Sequence, residues 1–524
     1  MAQLKGERQP HEQGWQDVFR YMAPERAHGF MGNTVTSSEA QAQRAEIYDS
    51  TAVDSGRIFS SGLASGMHPA NSIWFGMDVG QETDEERTFL DNAARIMFEN
   101  IHAANFDAAA GECHSDMGPA GWFVIYTSEK EGGGYHFEQW PIAQCYIATS
   151  KPGGTVDTIY REFELTIEQA VNDYGLKNMS AQVQDKYKQG PENYSQKITM
   201  CWAIYPRNVY AVGPAMAKNK AFASCHHEVA TKHMTRESGY DEFPCSIPRW
   251  RLIPGTPYAT GPGADALPDI KTLNQIQKLE LQNLDIAVSG MWKGVADGIL
   301  NPKTVRMGAR KMIMMADIKN MEALKTGADF NVSFAKGDQL RANIRKILLA
   351  DQLQPHDGPT MTATEVHARV QLIRQQMGPI FARLQSEFLQ PLIERCFAIA
   401  YRAGILGRAP DSLRGRNFTV KYVSPLARAQ RLEEVTAIDT FLLGLMEASK
   451  LDSTLLDMVD LEKTQREKAV ALGVPAKLLR SPEDIMTIRT KRAEASQAQE
   501  AQAQQQQLAA QAGGAMIDSV AKAA

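Results

Sequence analysis

The feature that most constrains this chain is one long amphipathic stretch, which runs from Thr362 to Tyr401 and has the apolar spacing of a single helix. Thr362 and Glu365 have the spacing of a reciprocal capping box at a helix start. Apolar side chains then recur every three or four residues: Val366, Val370, Ile373, Met377, Ile380, Leu384, Phe388 and Leu392. Pro379 and Pro391 interrupt the stripe, and each costs roughly 3 kcal/mol inside a helix. Because the stripe continues through both prolines, the sequence predicts one bent helix that is packed along its length.

The composition is that of an ordinary globular chain. The sequence has 524 residues, of which 43% are hydrophobic and 22% charged, and its net charge is −5. This length predicts about three or four core-sized units, and the charge does not indicate a protein that coats nucleic acid, which is normally basic. The first residues are polar, so no secretory signal is expected. No apolar run reaches the roughly 18 residues of a membrane-spanning helix.

The cysteines indicate a reduced, intracellular protein. The chain has six of them and no Cys-x-x-Cys pair. In a chain of this length, scattered cysteines are best interpreted as reduced, semi-buried side chains. They are Cys113, Cys145, Cys201, Cys225, Cys245 and Cys396.

The N-terminal half combines helices with a β region. Helical spacing is found over Gln41–Leu63 and again after Thr83, where Glu86 completes a second capping box. From about residue 118 to 250 the apolar pattern alternates with a period of two, and glycine-rich turns separate the alternating runs. We therefore predict an antiparallel, meander-like β region there, with one helix over Thr166–Tyr174.

Prolines divide the middle of the chain. Those between residues 244 and 268 predict a non-helical crossing or linker. Helical spacing resumes at about Asp269, residues 291–337 are irregular with a weak strand pattern, and Asp338–Gln352 is predicted as a further helix. A compact helix-breaking segment, Gln354–Pro359, then leads into the long helix.

The C-terminal part is predicted to be helical. Helical spacing returns after Pro425, and from about Arg489 the sequence becomes rich in Ala and Gln. These residues are good helix formers, but the tail has almost no apolar stripe. We expect it to be either disordered or helical only when it packs against copies of itself.

The most metal-like cluster is Cys225–Glu228 together with His233. A zincin helix places two histidines four residues apart, whereas His227 and His233 are six apart, so their imidazoles would not face the same way. A structural or surface role is the preferred interpretation. Gly261-Pro-Gly263 lacks the lysine and hydroxyl residue of a phosphate loop. The sequence predicts no catalytic residue, no metal site and no cofactor.

Basic side chains gather in the middle region. They are Lys303, Arg306, Arg310 and Lys311, followed by Lys336, Arg341, Arg345 and Lys346. One interpretation is a solvated face, and the other is a surface that contacts phosphates or an acidic partner. Arg341 and Arg345 are one helical turn apart and would share a face.

Several short motifs stand in a distinctive order along the chain. The most specific are Met361–Val366, Gly378–Ile380, Arg383–Glu387 and Gln390–Arg395. The others are Trp15–Arg26, Asp49–Thr51, Trp74-Phe75, Asn105-Phe106, Phe243-Pro244, Arg249-Trp250 and Asp265–Lys271. Their order and spacing, up to about Ile488, resemble the head-to-tail connecting (portal) proteins of short-tailed bacteriophages. One run departs from the pattern, because Tyr258–Pro262 stands where Tyr-Gly-Arg-Gly-Pro is expected, so that arginine is absent or relocated.

The resemblance implies an α+β portal fold. A wing of helices and antiparallel sheet would comprise 1–268. The stem would have a first helix over 269–290 and a second over 338–352, with a small α/β clip over 291–337 between them in the sequence. A tunnel loop over 353–361 would lead into a long kinked wing helix over 362–402, followed by C-terminal wing and crown helices over 403–488 and an Ala/Gln-rich tail over 489–524 that is disordered or a barrel helix.

The resemblance also implies a function. About twelve identical subunits would form a ring at one capsid vertex, and double-stranded DNA would pass through its channel during packaging and ejection. Gln354, His356 and Asp357 would face the DNA. The clip residues that would dock the partners are Lys303, Arg306, Arg310 and Lys311.

The implied partners are virion and packaging proteins. They are the terminase large subunit, tail adaptor or nozzle proteins, and capsid and scaffolding proteins. The subunits would assemble in the host bacterial cytoplasm and remain in the virion, with no membrane contact and no enzymatic activity.

Physical arguments agree with this expectation. A bent helix with a full apolar stripe needs neighbours on several sides, and a head-to-tail contact that closes into a ring provides them. A channel with little net charge would not hold DNA, because each neutralised phosphate adds affinity. Two alternatives remain open: another virion structural protein, such as a minor capsid or tail adaptor component, or a metal-dependent hydrolase that uses His226, His227 and His233.

Overall fold

The computed structural model describes the following residues: 1–27, 30, 37–70, 73–80, 83–130, 133–210, 216–289, 292–294, 321–323, 330–353, 378–413, 419–422, 425–448, 459–471 and 485–492. The chain divides into two compact units. Unit 1 comprises Met1–Trp74 and Met97–Ile405, and unit 2 comprises Phe75–Ile96 and Leu406–Ala524. Helices and antiparallel sheets alternate along the chain, which confirms the predicted α+β class.

The N-terminal helices differ from the prediction at one point. Their bounds are α1 (Ala2–Met22), α2 (Ser37–Ala45), α3 (Thr51–Met67), α4 (Asp84–Ala103) and α5 (Phe106–Ala120). The single helix expected over Gln41–Leu63 is therefore wrong, because the helical run stops at Ala45. The N–H of Thr51 donates to Asp49 Oδ1 at 2.9 Å, so a new helix starts at Thr51.

The capping box at Thr83 is confirmed. The backbone N–H of Thr83 donates to Glu86 Oε2 at 2.9 Å, and the N–H of Glu86 donates back to Thr83 Oγ1 at 3.3 Å. A second box lies at Thr166 and Gln169, where the predicted helix α6 (Ile167–Tyr174) begins. Helix α7 (Ala181–Lys188) follows it.

The β region is antiparallel throughout. Its strands are β2 (Val124–Glu129), β3 (Tyr135–Trp140), β4 (Cys145–Ala148), β5 (Thr158–Thr166), β6 (Lys197–Pro206), β7 (Phe222–Glu228), β8 (Met234–Tyr240) and β9 (Cys245–Ser246), after an earlier β1 (Phe75–Asp78). Five strands pair in chain order from β4 to β8, and three pair in the order β3-β2-β9. Consecutive strands that pair in order form a meander, as predicted.

Helix α1 is built into the core of this region. Trp15 and Phe19 of α1 pack in one buried cluster with Trp122 and Trp140 of the β region. The buried Arg8 lies 4.0 Å from the ring centre of Tyr146. Its guanidinium donates to the carbonyls of Ile142 (3.3 Å), Ala143 (2.8 Å) and Cys145 (2.9 Å). The first helix is therefore anchored by backbone carbonyls at the start of β4, of which that of Ile142 also accepts from the N–H of Cys145.

Helix α8 (Pro262–Ser289) begins earlier than expected. The proline-rich segment was predicted to be non-helical up to Pro268, and this is wrong for its last residues. Pro262 occupies the first helical position, where its missing N–H costs nothing. Ala266, Ile270 and Leu273 pack against α1, which offsets the hydrogen bond that Pro268 removes.

Glycines allow α5 to cross the start of α8 closely. A Cβ at Gly121, whose φ is +77°, would lie 2.2 Å from the carbonyl carbon of Thr260. A Cβ at Gly261 would lie 2.2 Å from the carbonyl oxygen of Gly118. Thr260 belongs to the short pair β10 (Arg251–Leu252) and β11 (Ala259–Thr260). The crossing is too tight for any side chain at these two positions.

Helix α8 pairs with α9 (Phe330–Ile347), and both pack on α1 and α3. The predicted helix over Asp338–Gln352 is longer at its start and broken near its end. Gly337 faces Leu273 of α8, so packing extends the helix through a sequence of low propensity. Leu349 has a φ of +57°, which ends α9 before the short α10 (Ala350–Leu353). In the sequence between α8 and α9, β12 (Trp292–Gly294) and β13 (Met321–Ala323) pair with each other in antiparallel orientation.

The second half of the long helix has an irregular centre. Residues 378–384 form α11, which continues through a π-helical turn, Gln385–Leu389, into α12 (Gln390–Arg402). The turn comes directly before Pro391, because a residue without an N–H cannot continue the regular ladder. The first half of the predicted helix, residues 362–377, lies outside the described residues.

Unit 2 is small. Strand β1 pairs with β14 (Thr419–Tyr422) in the register Phe75↔Tyr422. The helices predicted after Pro425 are present as α13 (Pro425–Ala448) and α14 (Leu461–Ala471), and residues 485–492 are helical. The rest of the Ala/Gln-rich tail, residues 493–524, lies outside the described residues.

Candidate functional site

Most of the side chains predicted to face DNA or partners cannot be located. Gln354, His356 and Asp357 lie outside the described residues. The same holds for the clip residues Lys303, Arg306, Arg310 and Lys311. Arg341 and Arg345 lie on α9, within the described part of the chain.

Arg341 is committed to an ion pair within unit 1. Its guanidinium lies 2.9 Å from Asp49 and 2.9 Å from Asp338. Burial of Asp49 would raise the pKa of its carboxyl group, but hydrogen bonds from Thr51 and the charge of Arg341 outweigh burial and lower that pKa. The Asp49 carboxylate therefore stays ionised and neutralises Arg341. Arg345 is exposed, one turn further along α9.

The chain before α3 also fixes α8. The N–H of Tyr48 donates to Asn274 Oδ1 at 2.7 Å, and the Asn274 amide donates to the carbonyl of Glu46 at 2.9 Å. Together with the ion pair of Asp49 and Arg341, these bonds hold residues 46–51 across both helices of the pair. The segment 46–51 therefore joins α8 to α9, and the motif residue Asp49 provides the contact with α9.

The far end of the α8–α9 pair exposes apolar side chains. Close to α1 and α3, the pair buries Leu273, Leu340 and Ile344. Further along α8, Leu281 and Leu284 are 51% and 55% exposed. Phe334 of α9 is 56% exposed. An apolar surface that continues beyond the core is typical of a protein–protein interface.

A buried ion pair joins the β region to the helix over residues 378–402, which contains the π-helical turn and is called the kinked helix below. Arg249 Nε donates to Glu387 Oε2 at 2.9 Å, and its Nη2 donates to Oε1 at 2.7 Å. The backbone N–H of Arg249 donates to the same carboxylate at 3.1 Å. The carbonyl of the next residue, Trp250, accepts from Arg383 at 3.1 Å. Two sequence motifs that are far apart in the chain are therefore direct partners.

A second ion pair holds the end of this helix. Arg395 Nη1 donates to Glu242 Oε2 at 2.7 Å, and Arg402 Nη1 donates to Glu242 Oε1 at 2.8 Å. The Tyr135 hydroxyl donates to the carbonyl of Cys396 at 3.1 Å. The helix is thus tied to the sheets at three separate points along its length.

Other motif residues are also structural partners. Arg26 donates to the buried Asp116 through both Nε (2.6 Å) and Nη2 (3.0 Å). Asn105 brackets Phe137, because its Nδ2 donates to the carbonyl (2.6 Å) and its Oδ1 accepts from the N–H (2.9 Å). The sequence indicates these motifs but not their roles. The long-range contacts show that Arg26 and Asn105 join elements that are distant in the chain.

The histidine cluster lies on β7 and is used for packing. The Tyr174 hydroxyl and His226 Nδ1 are 2.9 Å apart, and the His226 ring stacks on Trp202. Burial lowers the pKa of His226 to about 3. Glu228 accepts from the Ser180 N–H at 2.7 Å. Among the described residues, no group of three His, Cys, Asp or Glu side chains is arranged to hold a metal ion.

All six cysteines are buried and none is disulfide-bonded, whereas the sequence predicts semi-buried side chains. Burial raises the pKa of the Cys145 and Cys201 thiols to about 12, so neither is a nucleophile at neutral pH. Tyr258–Pro262 is the run that departs from the expected Tyr-Gly-Arg-Gly-Pro pattern. Thr260 stands at the position of the arginine, and its carbonyl group lies against Gly121. Among the described helices, none is long and apolar enough to cross a bilayer.

Comparison with known proteins defines the class. Residues 1–479 match the family described as bacteriophage head to tail connecting protein, and the chain belongs to this family. It is therefore a structural portal-type protein of a phage virion, as the motifs predict.

Two curated relatives are similar along almost their whole length. The portal protein of Salmonella phage epsilon15 is 26% identical over 521 residues, which cover 95% of this chain and 90% of the relative. The probable portal protein of Bordetella phage BPP-1 is 27% identical over 508 residues, with the same coverage of 95% and 90%.

Proposed function

We propose that identical copies of this chain form a closed ring at one capsid vertex and that double-stranded DNA crosses this ring during packaging and ejection. The observation that carries the proposal is the family match over residues 1–479. The exposed apolar end of the α8–α9 pair supports it. A neighbouring copy would cover Leu281, Leu284 and Phe334, and a repeated head-to-tail contact of this kind closes into a ring.

In this proposal the channel has a low affinity for DNA. The net charge is −5, and Asp49 neutralises Arg341 on the stem pair. Every phosphate that a protein neutralises adds salt-dependent affinity, so a strongly basic channel would slow the DNA. We assign the DNA-facing loop to Gln354, His356 and Asp357, and the basic face of the stem to Arg345, with Lys336 and Lys346 also exposed on the same helix.

We assign partner docking to the clip. Lys303, Arg306, Arg310 and Lys311 would bind the terminase large subunit and later the tail adaptor or nozzle proteins, while the wing would contact capsid and scaffolding proteins. Assembly would take place in the host cytoplasm, and the chain would have no catalytic activity of its own. Replacement of Arg306 and Arg310 by Glu should weaken docking while rings still form. Loss of rings would instead place these residues between subunits.

The ring is tested with the purified full-length chain. Light scattering after size-exclusion chromatography should show a large oligomer, and electron microscopy should show particles with a central hole. The triple variant Leu281→Gln, Leu284→Gln, Phe334→Gln should shift to smaller species. Met216→Gln removes an apolar side chain that is 78% exposed elsewhere in unit 1, and it should leave the oligomer intact. A wild-type chain that stays monomeric at every concentration would refute the proposal.

A further inference from the structure

Two histidines form a buried pair under the kinked helix. His68 follows α3 and His114 lies on α5, and their Nε2 atoms are 2.8 Å apart. The two rings stack with their centres 5.0 Å apart, and both side chains are buried. At this distance one Nε2 donates a hydrogen bond and the other accepts it, so the accepting ring is neutral. Burial lowers the pKa of both imidazoles and so favours the neutral form of the donating ring as well.

The pair has one unsatisfied polar atom. His114 Nδ1 is buried and has no hydrogen-bond partner. If Nε2 of His114 donates to His68, Nδ1 is an unused acceptor, and if Nε2 accepts, Nδ1 is an unused donor. Either tautomer leaves a buried polar group unpaired, which costs about 1–3 kcal/mol. A pair retained at this cost is poorly explained by packing alone.

A cleft gives water access to one member of the pair. The cleft has a volume of about 570 Å³, and its wall includes His68. The opposite wall includes Asp107 and Gly111 of α5. The serines along its α3 side donate to carbonyls of their own helix, as Ser61 does to Arg57, so they do not form a ligand site. His68 is 4% exposed, so the cleft that it lines is the route by which we expect solvent protons to reach the pair.

The kinked helix closes the pair on its other side. The Phe388 ring meets His68 edge-on at 6.1 Å between ring centres and His114 at 5.8 Å. Phe388 lies in the π-helical turn, next to Glu387 and its ion pair with Arg249. The ring that covers both histidines thus belongs to the irregular turn of the helix, where backbone hydrogen bonding departs from the regular ladder.

We propose that the His68–His114 pair is an acid-sensitive latch: when it takes up a proton from the cleft, Phe388 is displaced and the kinked helix opens locally. The charged neighbours act in opposite directions: beside the larger effect of burial, the charge of Asp107 raises the pKa of His68 and that of His102 lowers it. His102 on α4 and Asp107 on α5 pair with each other at 3.0 Å. Phe106 of α5, Phe123 and Phe388 supply apolar contacts to the pair. The latch does not depend on the proposed ring.

The direction and size of the effect follow from linkage. Burial lowers the pKa of His68 to about 4 and lowers that of His114 as well. An exposed histidine has a pKa of about 6.5, so the open state binds more protons than the closed state below that pH. If opening exposes one histidine, the opening constant rises about tenfold per pH unit as the pH falls from 6.5 to 4. Above pH 6.5 the latch is insensitive to pH.

Hydrogen exchange with mass spectrometry tests the latch in the full-length protein. After correction for the intrinsic exchange rate, peptides from 378–402 should lose protection about tenfold per pH unit below pH 6.5. Peptides from α13 should not, because unit 2 contains no histidine. In the double variant His68→Phe, His114→Phe, which keeps both aromatic rings but removes both titrating groups, the slope in 378–402 should flatten. In the control His226→Phe, which removes a buried histidine of the sheet, the slope should remain.

Two results would overturn the latch. One is protection of 378–402 that does not change between pH 7 and pH 4 in the wild type. The other is the same slope in the double variant His68→Phe, His114→Phe as in the wild type. If the double variant does not fold, deuterium exchange at the imidazole C2 of His68 and His114 in the wild type decides the question, because titration of either ring near pH 6.5 in the closed state would contradict the mechanism.

Discussion

The ion pair of Arg249 and Glu387 offers the sharpest test of how the kinked helix is held. The side chains are 4% and 8% exposed, and their closest N–O distance is 2.7 Å. Glu387→Gln removes the charge and keeps the shape, so Arg249 is left buried without a counter-ion. Breaking a buried pair by removing one partner costs about 3–5 kcal/mol. We expect a loss of this size in the free energy of local opening of residues 378–402.

The assay is native-state hydrogen exchange, which measures local opening without assuming that a chain of two units unfolds in one step. The control is Arg251→Met, which breaks the pair of Arg251 and Asp265. Its distance is also 2.7 Å, but its side chains are 56% and 48% exposed. A pair this exposed contributes about 0–1 kcal/mol. If Glu387→Gln costs no more than Arg251→Met, burial does not set the strength of the clamp and the reasoning fails.

Three further predictions concern stability. Arg8→Met removes the guanidinium that donates to the carbonyls of Ile142, Ala143 and Cys145, and thermal unfolding should show a loss of about 2–4 kcal/mol. Lys5→Met, which breaks the more exposed ion pair of Lys5 and Glu162, should cost under about 1 kcal/mol. Gly121→Ala places a Cβ 2.2 Å from the carbonyl carbon of Thr260 and should prevent soluble expression. Gly133 has a φ of +96° but open space around it, so Gly133→Ala should lower the free energy of unfolding by only about 1 kcal/mol. Equal soluble yields of the two variants would contradict the close crossing. Burial lowers the pKa of His226 to about 3, so its neutral form stabilises the fold above pH 6.5. Urea titrations should show the free energy of unfolding falling by about 1.4 kcal/mol per pH unit below that pH. In His226→Phe this fall should be less steep.

Much of the local structure could be predicted because its causes are local. The capping boxes at Thr83 and Thr166 and the alternation in β6 depend on residues a few positions apart. The errors occurred where a distant contact outweighs local preference. The first turns of α8 pack on α1, and Gly337 within the N-terminal half of α9 packs against Leu273 of α8. Neither neighbour can be recognised from the local pattern.

The candidate site shows the same division. That Arg341 and Arg345 share a helix follows from their spacing, but that Asp49 neutralises Arg341 does not, because the two residues are far apart in the chain. The stripe predicted for the long helix includes Phe388, yet the stripe gives no sign that this ring covers two histidines.

By itself, the sequence determined the class of protein, the meander and most of the helices, since these follow from motif order and from apolar periodicity. Only the tertiary structure decided which motif residues are partners, such as Arg249 with Glu387 and Arg26 with Asp116. The physical reason is that a buried charge must find its counter-charge in space. Spacing along the chain does not encode that distance.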